Sequence, residues 1–257
     1  MEYVVIALVA LLTSGLTLFS GFGLGTLLLP AFALFFPIDT AIAMTAIVHL
    51  INNLFKLLFV GKYADFKVVL RFGISAIIAA YLGAKLLLWF SDLPELYSYI
   101  LLGHIYQVTI VKLVIAILML IFALMEVLPG FKQLSFDKKF LPIGGLLSGF
   151  FGGISGHQGA LRSAFLIKYG LTKEAFIGTG VVIASTIDFS RLFVYSSKFA
   201  LEWTEANTGL LLTAIVAATL GVVIATRLLK KITMSFVQYT VSILLFIIAL
   251  GLGTGII

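Results

Sequence analysis

Apolar residues fall into long runs along this chain, at approximately 4–36, 40–61, 68–90, 108–128, 141–167, 175–197, 207–229 and 233–256, separated by short polar loops. Most of these runs reach the roughly 20 residues that a helix needs to cross a bilayer. The pattern therefore predicts an all-α fold, a polytopic transmembrane helical bundle. Two of the runs are broken. Gly21, Gly23 and Gly25 interrupt the first, with Pro30 behind them, and Gly149, Gly152, Gly153, Gly156 and Gly159 interrupt the fifth. Glycine reaches positive φ and lets backbones approach closely. Each broken run is expected to be a hairpin of two short arms that meet at a glycine tip.

The broken runs open two similar halves, 1–129 and 130–257, read as two repeats of one integral membrane domain. Ser20-Gly21-Phe22 is answered by Ser148-Gly149-Phe150, and Ala31-Phe32 by Ala164-Phe165. Ala41 and Thr45 return as Ala175 and Thr179, and Ala79-Ala80-Tyr81-Leu82-Gly83 as Ala217-Ala218-Thr219-Leu220-Gly221. Ile117-Leu118, Ile121 and Ala123-Leu124 return as Ile243-Leu244, Ile247 and Ala249-Leu250. All the matches keep the same order. A duplicated membrane domain with interrupted helices is the usual build of a secondary transporter, whose substrate sits where the copies meet.

Composition agrees with a membrane location. The chain is 61% hydrophobic and 11% charged, against about 25% charged in a typical soluble domain. Its formal charge of +6 resides in short loops, as expected beside anionic lipid, and implies no nucleic-acid partner. With no cysteine, disulfides and thiolate metal sites are excluded. Met1-Glu2-Tyr3 lacks the basic start of a cleaved signal peptide, so the first run is expected to stay in the mature protein.

The loop cations choose between single crossings and hairpins. If every run crosses once, the cations divide almost evenly between the two sides. If the first and fifth runs return to their starting side, one side holds Lys62, Lys67, Arg71, Lys132, Lys138, Lys139, Lys168, Lys173, Arg227, Lys230 and Lys231. The other side then holds only Lys198, with Lys85 and Lys112 toward the same outer face. The positive-inside rule prefers the hairpins. Each half then crosses an odd number of times, which predicts an inverted repeat with both chain ends outside the cytoplasm. The expected location is the cell membrane, multi-pass.

Inside a bilayer, broken backbone must line a cavity or be packed in protein. A half-helix that begins at a glycine tip presents free N–H groups and the positive end of its dipole. The tips at 23–26 and 156–159 are thus candidate anion sites, with Gly23, Gly25, Thr26, Gly156, His157, Gln158 and Gly159 as binding residues. The plainer alternative is that the glycines serve helix packing. Arg162 lies one turn into the second descending arm, where its charge opposes the helix dipole. Either a bound anion or an ion pair with Asp188 would compensate it.

The helix after each hairpin carries a polar stripe. His49, Asn52, Asn53 and Lys56 share one face in the first copy, and Ser185, Asp188 and Arg191 share one in the second, with Thr186 beside them. Asn52, Ser185 and Thr186 suit helix–helix adhesion, and Lys56 is expected to reach the cytoplasmic surface. His49, Asn53, Asp188 and Arg191 are the candidates for a pathway or coupling role, Asp188 and Arg191 also being close enough to pair. No catalytic residue, metal ligand or cofactor is expected. Among enzyme readings, Gly153-Ile154-Ser155-Gly156-His157 resembles the Gly-x-Ser-Gly of intramembrane serine peptidases. An intramembrane hydrolase using Ser155 and His157 is therefore one alternative, and a non-transporting membrane assembly subunit is another. The chain contains neither a nucleotide-binding Gly-Lys-Ser/Thr loop nor a His-Glu-x-x-His motif.

The run Ser148-Gly149-Phe150-Phe151-Gly152-Gly153-Ile154-Ser155-Gly156-His157-Gln158-Gly159-Ala160-Leu161-Arg162 resembles the glycine motif of the sulfite exporter TauE/SafE family. So does its weaker counterpart at 20–30. The likeness covers nearly the whole chain, including Thr45 and Thr179, and the stretch Lys173-Glu174-Ala175-Phe176-Ile177-Gly178-Thr179-Gly180 looks like that of a subgroup. The resemblance implies a cytoplasmic-membrane permease that moves sulfite, sulfonates or related organosulfur anions outward. Its partners would be a small anion and the lipid bilayer, and a homodimer is compatible with it. Two departures bear on which anion is carried: Gly21-Phe22-Gly23-Leu24-Gly25 is sparser in glycine than the family motif, and His157-Gln158 stand where plain glycines are common.

Overall fold

The computed structural model describes residues 1–20, 24–132, 134–202, 205–228 and 234–257. It is helical almost throughout. The first half contains α1 (Glu2–Ser20), α2 (Gly25–Ala33), α3 (Ile38–Val60), α4 (Phe66–Ser91), α5 (Ile110–Val127) and the single turn α6 (Pro129–Lys132). The second contains α7 (Leu141–Ser155), α8 (Gly159–Leu166), α9 (Lys173–Glu202), α10 (Glu205–Leu228) and α11 (Met234–Thr254). Polar residues in the loops start several of them. Asp65 accepts from the Lys67 and Val68 amides at the head of α4, and Thr109 accepts from the Lys112 amide at the head of α5. Such caps satisfy donors that a helix start leaves open.

Among the described residues, four helical stretches are long and apolar enough to cross a membrane: Ile38–Tyr63, Phe66–Ser91, Ile110–Val127 and Lys173–Lys198. Large apolar side chains on their outer faces, such as Leu58 at 78% and Phe193 at 75% exposure, suit contact with lipid.

Between α4 and α5 the chain forms a two-stranded antiparallel hairpin, β1 (Glu95–Leu101) with β2 (His104–Thr109). The apolar runs predict no element there. Its turn places Leu102 and Gly103 at φ 52° and 81°, the left-handed pair that matches strand twist in a two-residue loop. The Tyr99 hydroxyl ties the hairpin to the bundle by donating to the Thr254 carbonyl at 2.7 Å.

The second broken run is an interrupted helix, α7 and α8, and the first holds α1 and α2 on either side of residues that are not described. The break in the second falls at Gly156, whose φ of +80° lets the chain reverse. The α8 arm then folds back on α7: the Phe165 ring covers Gly144, and the Ser148 hydroxyl donates to the Gln158 carbonyl. The two ends of this hairpin lie side by side. The Phe136 amide bonds the Ala164 carbonyl, and Lys138 sits over the Tyr169 ring. In the first hairpin, Gly21 and Gly23 lie outside the described residues. Gly25, at the head of α2, faces the Gly156 carbonyl, which a Cβ there would meet at 3.6 Å.

The glycine cluster in the fifth run does two jobs, and only Gly156 is a tip. Gly149, Gly152 and Gly153 lie inside continuous α7, so they do not interrupt it. Gly145, Gly149 and Gly153 form a stripe at four-residue spacing, and a Cβ on them would fall 2.2, 2.2 and 2.3 Å from the carbonyl oxygens of Phe72, Ala76 and Ala80 on α4. Contact this close requires a bare Cα and supports Cα–H···O contacts. The contacts climb both helices together, so α4 and α7 run parallel. By the same criterion α1 runs parallel to α10, with Gly209 against the Tyr3 hydroxyl and Gly221 against the Leu11 carbonyl. Ser20 is the last residue of α1 and Ser148 lies mid-way along α7, while Gly21 and Phe22 fall outside the described residues.

The central pair is α3 with α9, which run antiparallel. Gly178, near the head of α9, packs on the Val60 carbonyl, and Thr179 accepts from the Asp65 amide at 2.9 Å. The loops around Lys62, Lys138, Lys168 and Lys173 thus gather at one end of the bundle. At the other end Lys198 pairs with Asp92 at 2.7 Å, beside the β-hairpin.

Candidate functional site

Because α3 and α9 are antiparallel, their polar stripes meet halfway along the pair. His49 and Asn53 face Asp188, with His49 Nδ1 2.6 Å from Asp188 Oδ2 and the Asn53 amide donating to the same oxygen at 3.4 Å. Arg191, one turn further along α9, donates from Nε and Nη2 to Asp188 Oδ1 at 3.0 and 2.7 Å. The hairpin tip adds Gln158, whose amide reaches Asp188 Oδ1 at 3.4 Å, and Arg162, which donates to Gln158 Oε1 at 3.1 Å. Thus Arg162 reaches Asp188 through Gln158, and Arg191 takes the direct ion pair. Asp188 and Arg191 are wholly buried, so the pair is compensated within protein, as ionic groups at membrane depth must be.

Gly156 makes room for this network. A Cβ there would lie 2.8 Å from Arg191 Nη1, so the glycine serves both the left-handed turn and the seat of the guanidinium. Arg191 Nη1 has no hydrogen-bond partner. Tyr195, one turn beyond Arg191, donates its hydroxyl to the Gly153 carbonyl and ties α9 to α7.

Beside the network is a cavity of about 40 Å³, above the roughly 10–15 Å³ that one water requires. Its polar lining is Thr17, His49, Asn53, Lys56, Arg162 and Ser163, closed by apolar residues of α8 and α9. Among the described residues of the lining, the formally charged ones are Lys56 and Arg162, and none is a carboxylate. Lys56 departs from the expectation of a surface residue. It is only 5% exposed, because α8 and α9 cover the end of α3 where the side chain would otherwise emerge. Lys56, Thr17 and Ser163 are lining residues that sequence reasoning did not select. The seven-residue step from His49 to Lys56 was the available signal.

Other members of the stripes are adhesive. Asn52 donates to the Ser14 hydroxyl at 2.8 Å and the Ala218 carbonyl at 3.2 Å, joining α3 to α1 and α10. Ser185 and Thr186 bond back to carbonyls of their own helix.

Gly23 and the side chain of Thr26 lie outside the described residues. Gly25, Gly156, His157, Gln158 and Gly159 do not border the cavity. His157 instead stacks on Phe122 of α5, with ring centroids 5.3 Å apart, and its Nδ1 lies 3.1 Å from the Ser155 hydroxyl. That hydroxyl donates to the Phe151 carbonyl at 3.1 Å.

Residues 6–252 match the model of the family described as Sulfite exporter TauE/SafE. The chain belongs to the TauE/SafE family. No curated protein matches its sequence. Membership makes it a membrane transporter rather than an enzyme, which removes the intramembrane hydrolase reading of Ser155 and His157. It also implies a small anionic substrate and lipid surroundings. For a TauE/SafE transporter, a buried recess with two cationic side chains and, among its described lining residues, no carboxylate is the arrangement to examine for anion binding.

Proposed function

We propose that this TauE/SafE transporter exports a small sulfur oxyanion, such as sulfite or a sulfonate, which binds in the recess between α3, α8 and α9. The reading rests on one observation: Lys56 and Arg162 line the same recess, and the described residues of its lining include no carboxylate. Cationic side chains that face a buried recess favour an incoming anion, which can take charge-assisted hydrogen bonds from them. Lys56 and Arg162 hold the charge, Ser163 and Thr17 offer hydroxyls, and His49 and Asn53 connect the recess to Asp188 and Arg191. The tip glycines set the backbone course rather than touching the anion, Gly156 through its turn and its clearance for Arg191.

Proteoliposomes carrying the purified protein should accumulate or release labelled sulfite. Arg162→Gln should weaken that flux about tenfold to a hundredfold, the equivalent of the roughly 1.5–3 kcal/mol of a hydrogen bond to a charged group. Unchanged flux in both Arg162→Gln and Lys56→Gln would remove the recess from the mechanism.

Transport follows alternating access, the recess opening to either side of the membrane in turn. An inverted repeat is supported by the parallel pairing of α1 with α10 and of α7 with α4, and by the approach of Gly25 to the Gly156 carbonyl. It is supported too by the collection of lysine-bearing loops at one end of the bundle. With that end in the cytoplasm of a multi-pass cell-membrane protein, α7–α8 enters from inside and α1–α2 from outside. Reporters fused to either chain end should therefore report the outer face, and a cytoplasmic signal from both would overturn this orientation.

A further inference from the structure

Resting on the anion-site reading above, we propose that His49 is a proton-binding site coupled to that recess, so that this transporter takes up a proton together with its anion. His49 stands at a boundary. Its Nδ1 lies 2.6 Å from Asp188 Oδ2, whereas the side chain borders the cavity that Lys56 and Arg162 line. At that separation the N–H on Nδ1 donates to the carboxylate. This fixes the neutral tautomer and leaves the lone pair on Nε2, which the Asn53 amide nitrogen approaches at 3.5 Å. That contact is at the long limit of a hydrogen bond, so Nε2 is only weakly engaged. Nε2 takes one from water entering the recess, the imidazole becomes imidazolium, and both ring nitrogens then donate.

The surroundings couple proton binding to anion binding. The charged groups that face His49 are Asp188 and Arg191 on α9 and Lys56 on its own helix, with Arg162 of α8 also on the cavity lining. Asp188 is the one carboxylate among them, and Arg191 already engages its Oδ1 through two donors. An anion between Lys56 and Arg162 offsets positive charge beside His49, and a proton on His49 adds a further positive charge for the anion to meet. The coupling is reciprocal by thermodynamic necessity.

The remaining histidines do not share this setting. His157 stacks on Phe122 outside the cavity, and His104 lies in the β-hairpin. Since the chain has only three histidines, each can be followed individually.

The test uses purified, full-length protein with sodium sulfite. Calorimetric titration at pH 7 in buffers of different ionisation enthalpy gives the protons taken up per anion bound. The same titration on His49→Gln cancels the anion's own ionisation. Wild type should take up about 0.3–1 more proton than the variant, and its affinity should fall up to about tenfold per pH unit as the solution is made alkaline. As a measurement that needs no variant, ¹⁵N-histidine spectra of the wild type should show one ring moving toward the imidazolium signature when sulfite is added. Sulfite binding with equal proton uptake in both proteins, or with all three ring signatures unmoved, overturns the inference while leaving the anion site standing. A wild type that binds no sulfite overturns the anion site itself.

Discussion

Asp188→Asn is expected to be among the most damaging single substitutions in this protein. The change preserves shape and removes one charge, yet Asp188 is the acceptor on which His49, Asn53, Gln158 and Arg191 converge. Arg191 is completely buried and pairs with Asp188 within its own helix. Losing the carboxylate strands a guanidinium in protein, where breaking one side of a buried pair costs about 3–5 kcal/mol. The expected result is a large drop in the thermal midpoint in detergent, together with loss of sulfite flux. Asp188→Asn combined with Arg191→Gln should be less destabilised than the sum of the two single changes, because the double variant buries no unpaired charge. Additive losses would show that the pair does not carry this stability.

The second large effect is expected at Gly149. Gly149→Leu places a Cβ 2.2 Å from the Ala76 carbonyl and 2.7 Å from the Ala76 Cα. Both obstacles are backbone, so no rotamer change relieves the clash, and α7 must withdraw from α4. Gly145 and Gly153 make equivalent contacts above and below, so separation at one level strains the others. Since over-packing a well-filled interface typically costs 1–3 kcal/mol and backbone obstruction more, the variant should fail to accumulate as monodisperse protein. Gly170→Ala provides the contrast. That residue has positive φ but nothing near its Cβ position, so the change should bring only a modest backbone penalty. Size-exclusion profiles of the two variants make the comparison, and a monodisperse, fully stable Gly149→Leu would refute the close packing of α4 on α7.

How much of this was legible beforehand varied with the physics behind each residue. Transmembrane helices were readable because bilayer thickness imposes a run length that few other structures need. The interrupted helix of the fifth run was readable for a related reason: a cluster of glycine in an apolar run has few uses. Which glycine does what was not readable. Gly149 and Gly156 are the same residue type in the same run, and only the position of α4 makes one a contact and the other a turn. Lys56 shows a similar limit. Four residues from the end of α3, a lysine ordinarily reaches the membrane surface, and only the return of α8 and the crossing of α9 enclose it. The polar stripes were visible from helical spacing, and their meeting at His49 and Asp188 required the antiparallel arrangement of two helices far apart in sequence. The stacking of His157 on Phe122 was likewise not visible from the chain, since α5 and α7 are brought together only by the fold. The hairpin at 95–109 left a signal that went unused: Leu102-Gly103 separates two short stretches rich in tyrosine and β-branched residues, which is hairpin chemistry.

The glycine-mediated pairing has a mechanical consequence. Since α7 is seated on α4 by backbone contact, and α1 is matched to α10, each is clasped by a helix encoded in the opposite half of the chain. Any piece that moved as a rigid body would therefore be a composite, stitched from both ends of the polypeptide. A hinge near residue 130 would have to part these backbone contacts.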